Sequence, residues 1–84
     1  MEVEIAEGGA HCKLTEAYGK CWLIGLESDG SDPLAVLKVV RKAESIAREK
    51  GYKALTCDSS NRKLIGAANR TGWDVVTVIM EKQL

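Results

Sequence analysis

Phenylalanine is absent, proline occurs once, and the only aromatic side chains are two Trp and two Tyr. The core must therefore be built from Val, Ile, Leu and Ala, and there is no interleaved aromatic platform on which nucleobases would stack. Surplus charge is absent too. Twelve basic and twelve acidic residues cancel, which removes the electrostatic footprint of a nucleic-acid binder. No apolar run approaches the ~20 residues that cross a bilayer. The start, MEVEIAEGG, lacks the basic and apolar stretches of a signal peptide, so a cytoplasmic location without membrane contact is expected. The three cysteines, Cys12, Cys21 and Cys57, form no C-x-x-C pair and are odd in number. That argues against a disulfide scaffold and a thiolate zinc site, and favours small apolar side chains in a reducing compartment.

What remains is an ordinary globular composition, 45% apolar and 29% charged in 84 residues. A chain this short has room for one domain, residues 1–84, and one modest core. It buries only about 60–65% of its unfolded surface.

Met1 to Ala6 alternates, with Val3 and Ile5 opposed to Glu2 and Glu4, and His11 to Glu16 alternates again around Cys12 and Leu14. Two half-exposed strands joined at Glu7-Gly8-Gly9 predict a β-hairpin, with a second break at Gly19. CWLIGL, residues 21–26, is nearly continuous in apolar residues, as expected of a central strand buried on both faces. Gly25 within it marks a bulge or a close backbone approach. Asp32-Pro33 is a helix start, with Asp as cap and Pro at the first helical position. From Leu34 to Lys50, Val36, Val39, Val40, Ala43, Ile46 and Ala47 fall on one helical stripe, and Gly51 is placed to end the helix. Glu44 and Arg48 are spaced to pair one turn apart. A strand over Tyr52–Cys57, a helix over Asn61–Arg70 and a last strand over Trp73–Glu81 complete the order β-β-β-α-β-α-β. This is an α/β (α+β) single mixed sheet in which the third and fourth strands lie parallel.

From Trp22 to Trp73 this succession resembles the core of the GNAT (acyl-CoA N-acyltransferase) superfamily. The strongest local match is N-R-K-L-I-G-A-A-N-R-T-G-W, in which Asn61, Leu64, Ala68, Gly72 and Trp73 stand at the family's Asn, small or apolar, Tyr and Gly-aromatic offsets. Including the hairpin, the resemblance covers nearly the whole chain, as an abbreviated form similar to small phage-encoded GNAT-like proteins. It implies a truncated acyl-CoA N-acyltransferase-like fold covering the C-terminal half of the family's. It implies acetyl-CoA as cofactor, met by Leu26, Ser28, Gly30, Ser31 and Asn61, and Glu27 as candidate catalytic base.

Three departures bear on activity. The strand and two helices that precede the hairpin in full family members, and that help form the acceptor site, have no counterpart here. The phosphate loop, Q/R-x-x-G-x-G/A in the family, reads Glu27-Ser28-Asp29-Gly30-Ser31-Asp32, so that carboxylates stand where a pyrophosphate must sit. Like charges at 4 Å repel by about 4 kcal/mol at an effective dielectric of 20. The family's frequent general acid, a Tyr, is Ala68, which has no proton to give.

Other constellations have simpler explanations. Cys57-Asp58-Ser59-Ser60 lies at a strand end, where open α/β sheets place ligands, but nothing in the spacing joins Cys57 to His11, the sole histidine. Glu27, Asp29 and Asp32 lack calcium-loop spacing, so no metal is expected. Lys38, Arg41, Lys42 and Arg48, with Arg62, Lys63 and Arg70, read as solvated helix faces. A small core and β-rich ends imply open sheet edges, and with them a homodimer or another protein partner. The sequence therefore leaves two functions open: a GNAT-like interaction or regulatory module without catalysis, and an acetyl-CoA-dependent N-acetyltransferase of unknown amine. The loop and Ala68 favour the first.

Overall fold

The computed structural model describes residues 1–57, 70, 72, 73 and 82–84. Period-two patterning becomes three antiparallel strands, β1 (Glu2–Glu7), β2 (Ala10–Ala17) and β3 (Lys20–Ser28). A helix, α1 (Ala35–Glu49), leads to the short β4 (Leu55–Cys57), which pairs parallel with β3. The sheet order is β1-β2-β3-β4. The fold is thus a single mixed sheet with a helix on one face, the architecture the patterning predicts over these residues. The second helix and last strand expected over 61–81 lie outside the described residues, apart from Arg70, Gly72 and Trp73.

Both hairpins turn in two residues, at Gly8-Gly9 (φ 60° and 83°) and at Tyr18-Gly19 (φ 54° and 73°). Positive φ at both central positions is the turn whose twist matches that of the flanking strands.

One row of side chains from each strand faces α1: Ile5 from β1, Ala10, Cys12 and Leu14 from β2, Cys21 and Leu23 from β3. They meet Ala35, Val39, Ala43 and Ala47, a four-residue stripe of small side chains that lets the helix lie close on the sheet. Val36, Val40 and Ile46 are half-buried beside it.

Four expectations are corrected. β3 is buried on one face only, since on the other Trp22 is half-buried and Ile24 is 37% exposed. A continuous apolar run says nothing about which face finds a partner. The helix starts at Ala35, not at Pro33, because the Ala35 N–H donates to the Asp32 carbonyl at 3.1 Å and closes a tight turn ahead of the first helical bond, Lys38 to Leu34. β4 begins at Leu55 because Tyr52 is held elsewhere, its N–H on the Ala47 carbonyl and its hydroxyl donating to Glu16. The Glu44–Arg48 pair does not form. The described ion pairs of α1 run instead from Lys38 to Asp32 (3.2 Å) and from Lys42 to Glu7 (3.0 Å).

Gly25 does mark a bulge. Leu14 faces Leu23 and Lys13 faces Ile24, but His11 faces Glu27 and Ala10 faces Ser28, so β3 gains one residue opposite Cys12. Gly25 has φ +62°, the left-handed backbone that such a bulge takes at little cost only with glycine. Beyond it, Leu26 packs against the core, Glu27 turns to the outer face and Ser28 sits over Ala10.

Candidate functional site

The residues proposed from the sequence, apart from Asn61, occupy the end of β3 and the loop into α1. Asn61 and Ala68 lie outside the described residues. The loop is tied back to the first hairpin. The Asp29 N–H donates to the Gly9 carbonyl at 3.0 Å, and the Ser31 hydroxyl donates to the Gly8 carbonyl at 3.3 Å.

The loop's own side chains then take its backbone donors. Gly30 N–H donates to Ser28 Oγ at 3.2 Å, Ser31 N–H to Asp29 Oδ1 at 2.8 Å, and Leu34 N–H to Asp32 Oδ1 at 2.9 Å. With Asp29 N–H on the Gly9 carbonyl and Ala35 N–H on the Asp32 carbonyl, five N–H groups from Asp29 to Ala35 are engaged. These are the donors that hold an anion at a loop-to-helix junction. The hydroxyl and N–H of Ser31 hold the Asp29 carboxyl below its ordinary value. The Leu34 N–H, then Lys38, do the same for Asp32. Both carboxylates thus act as internal anions for the loop. The fit to a pyrophosphate is poor on two counts: most of the loop's own donors are already engaged, and negative charge stands beside them.

Glu27 is exposed on the outer face, 3.2 Å from His11 Nε2. The sequence places Glu27 at the strand end but does not show its pairing with His11. An unbulged register would set His11 opposite Leu26, so the contact is legible only once the bulge is placed.

Cys12 and Cys21 are buried, and both thiols are pushed up. Burial is the main cause in each, with the neighbouring Cys57 adding to it for Cys12 and Glu16 for Cys21. Raised pKa and burial make them core residues rather than nucleophiles. Cys57 is half-buried against the core at the end of β4, whereas His11 is on the outer face with Glu27. The structure does not bring that thiol and the histidine together. Among the described residues no cluster of His, Cys, Asp or Glu is arranged to hold a metal, and no helix is long and apolar enough to cross a membrane.

An antiparallel three-strand sheet leading through a loop and helix into a parallel strand is an arrangement similar to that of a solved protein described as an acetyl transferase. The solved structure described as "Putative acetyl transferase from Pyrococcus furiosus" superposes on 90% of this chain with a TM-score of 0.70 at 21% identity. The chain spans 57% of the length of that protein. No protein-family model matches the sequence, and no curated protein does.

Proposed function

We propose that this domain is a GNAT-like interaction module that works by binding a protein partner and does not use acetyl-CoA. One observation carries the reading. Asp29 and Asp32 accept the loop N–H groups of Ser31 and Leu34, so a pyrophosphate would have to displace two carboxylates from the donors it needs. Ala68 at the family's Tyr position supports the same reading, because alanine cannot protonate a leaving thiolate.

The second reading is an acetyl-CoA-dependent N-acetyltransferase acting on an unidentified amine, with Glu27 as base. What favours it is the fold it shares with the Pyrococcus furiosus protein, and fold alone is a weak warrant for activity.

Titration with acetyl-CoA, read by calorimetry and by the shift in melting temperature, separates the two. Ligand at 100 times its Kd stabilises a native state by about 2.7 kcal/mol, a visible shift for a domain of this size. No shift at millimolar acetyl-CoA is expected. Saturable binding would establish the second reading and direct attention to the acceptor amine. The variant carrying Asp29→Asn and Asp32→Asn keeps oxygen acceptors in the loop but removes two negative charges, and it is expected to bind acetyl-CoA more tightly than the parent chain.

A further inference from the structure

Strand β1 is the edge of the described sheet. Its two-residue turn makes Glu7 and Ala10 the closing pair, which exchanges hydrogen bonds. By the alternation of an antiparallel ladder, the N–H and C=O groups of Glu2, Glu4 and Ala6 then point away from β2, along the open edge. Beside that edge runs a groove of about 660 Å³ between β1 and α1, whose lining includes Ile5, Ala6, Arg41, Lys42, Ser45 and Ile46.

The two faces of this edge carry opposite surplus charge. On the outer face Glu2 and Glu4 share a single cation, Lys13, at 3.6 and 3.5 Å. One negative charge is left over. On the groove face Lys42 is matched by Glu7 and Lys38 by Asp32, while Arg41 has no carboxylate partner among the described residues. One positive charge is left over there, above the apolar floor of Ile5 and Ile46.

We propose that β1 accepts an extended segment of another protein as an added strand, with basic side chains on one face of that segment and apolar side chains on the other. This rests on reading the domain as an interaction module. The segment's backbone pairs with the free groups of Glu2, Glu4 and Ala6. Its basic residues lie beside Glu2 and Glu4, and its apolar residues enter the groove over Ile5 and Ile46, with room for one acidic group at Arg41. Main-chain bonds supply affinity and the alternating side chains supply selectivity. A second copy of β1 is a poor occupant. It would add its own Glu2 and Glu4 to a row that is already negative, and like charges directly opposite destabilise a strand pair.

The test uses three fluorescent hexapeptides with the intact chain: alternating Lys-Val, alternating Glu-Val, and a block peptide of three Lys then three Val. The expected result is saturable anisotropy for alternating Lys-Val, with a Kd at least tenfold below that of the other two. Ala6→Pro removes an outward N–H without touching the β1–β2 ladder and is expected to raise that Kd at least tenfold at an unchanged melting temperature. The double variant E2K/E4K is expected to switch preference to alternating Glu-Val, which keeps the test independent of Pro tolerance. Equal binding of the block peptide would overturn the proposal in favour of plain charge attraction, and no binding would overturn it outright. A dimer of the parent chain that Ala6→Pro dissolves would overturn it in favour of a second copy. Acetyl-CoA titrated in parallel distinguishes the two failures: no ligand of either kind sinks the edge proposal alone, whereas acetyl-CoA binding sinks the module reading beneath it.

Discussion

Asp29 and Gly9 are fitted to each other. The Asp29 N–H donates to the Gly9 carbonyl at 3.0 Å, and the Asp29 carboxylate lies where a side chain on Gly9 would begin. Loop and hairpin are held together at this point, and the loop's path over the first turn depends on it.

Gly9→Ala is therefore expected to destabilise the chain twice over. Its φ of +83° disfavours any side chain, and the new methyl group would collide with Asp29. Strain of this kind costs about 1–3 kcal/mol before the loop moves. Thermal denaturation checks it. A second variant, Gly9→Ala with Asp29→Gly, relieves the collision but not the strain and is expected to recover part of the loss.

Acid should loosen the same loop. The folded chain holds Asp29 and Asp32 below the ordinary Asp value, so the unfolded chain takes up their protons first. Their stabilising contribution is complete above about pH 4, near the unfolded value, and is lost as pH falls through the lower folded values. Melting temperatures across pH 2–6 are expected to fall more steeply at the acid end for the parent chain than for Asp29→Asn/Asp32→Asn. Parallel curves would remove the loop carboxylates from the account.

Tyr18 occupies the first central position of the second turn with φ 54° and is 97% exposed. It holds a strained backbone and buries almost nothing. Asn tolerates this conformation, and Asn-Gly is the sequence such turns favour. Tyr18→Asn is expected to stabilise by about 0.5–1 kcal/mol, measured by urea denaturation. A loss of stability would mean that the ring has a contact in the folded chain.

The small stripe of α1 makes the opposite case. Ala43 is fully buried between helix and sheet. Ala43→Leu inserts three carbons where there is no space, and overpacking costs about 1–3 kcal/mol or more. Val39→Ala, at the same interface, leaves a void and is also expected to destabilise. Chemical denaturation of both variants tests whether the interface is close-packed. Tolerance of Ala43→Leu would show a gap beneath the helix.

Much of the fold is legible in the residues alone. Alternation in Glu2–Ala6 and His11–Glu16 marks both strands of the first hairpin, because a buried row and an exposed row can be told apart by polarity. The stripe from Val36 to Ala47 marks α1 in the same way. Where patterning misleads, tertiary pairing decides. Ile24 lies in an apolar run yet is exposed to solvent, because a strand's hydrophobicity does not name its cover. Glu27 is recognisable as a carboxylate at a strand end, but its partner His11 depends on where one extra residue enters the ladder. The loop carboxylates are legible as an obstacle to an anion. Their engagement with the Ser31 and Leu34 N–H groups is not, since it depends on backbone direction.

Gly25 gives β3 two reading frames. Up to Ile24 the odd positions face the helix; after the extra residue the even ones do, which is how Leu26 and Ser28 come to the inner side and Glu27 to the outer. Substituting Gly25 would strain a backbone with open space around it. Deleting it has a different consequence. Leu26 would move up opposite Cys12 in a regular ladder, and every side chain beyond it would keep its present face. Loss of any other single residue between Leu23 and Glu27 would leave the strand to choose between keeping its kink and keeping its parity. The glycine is thus a spacer that the strand carries to bring its second half into phase, silent in the pattern of polarity and decisive for where that pattern points.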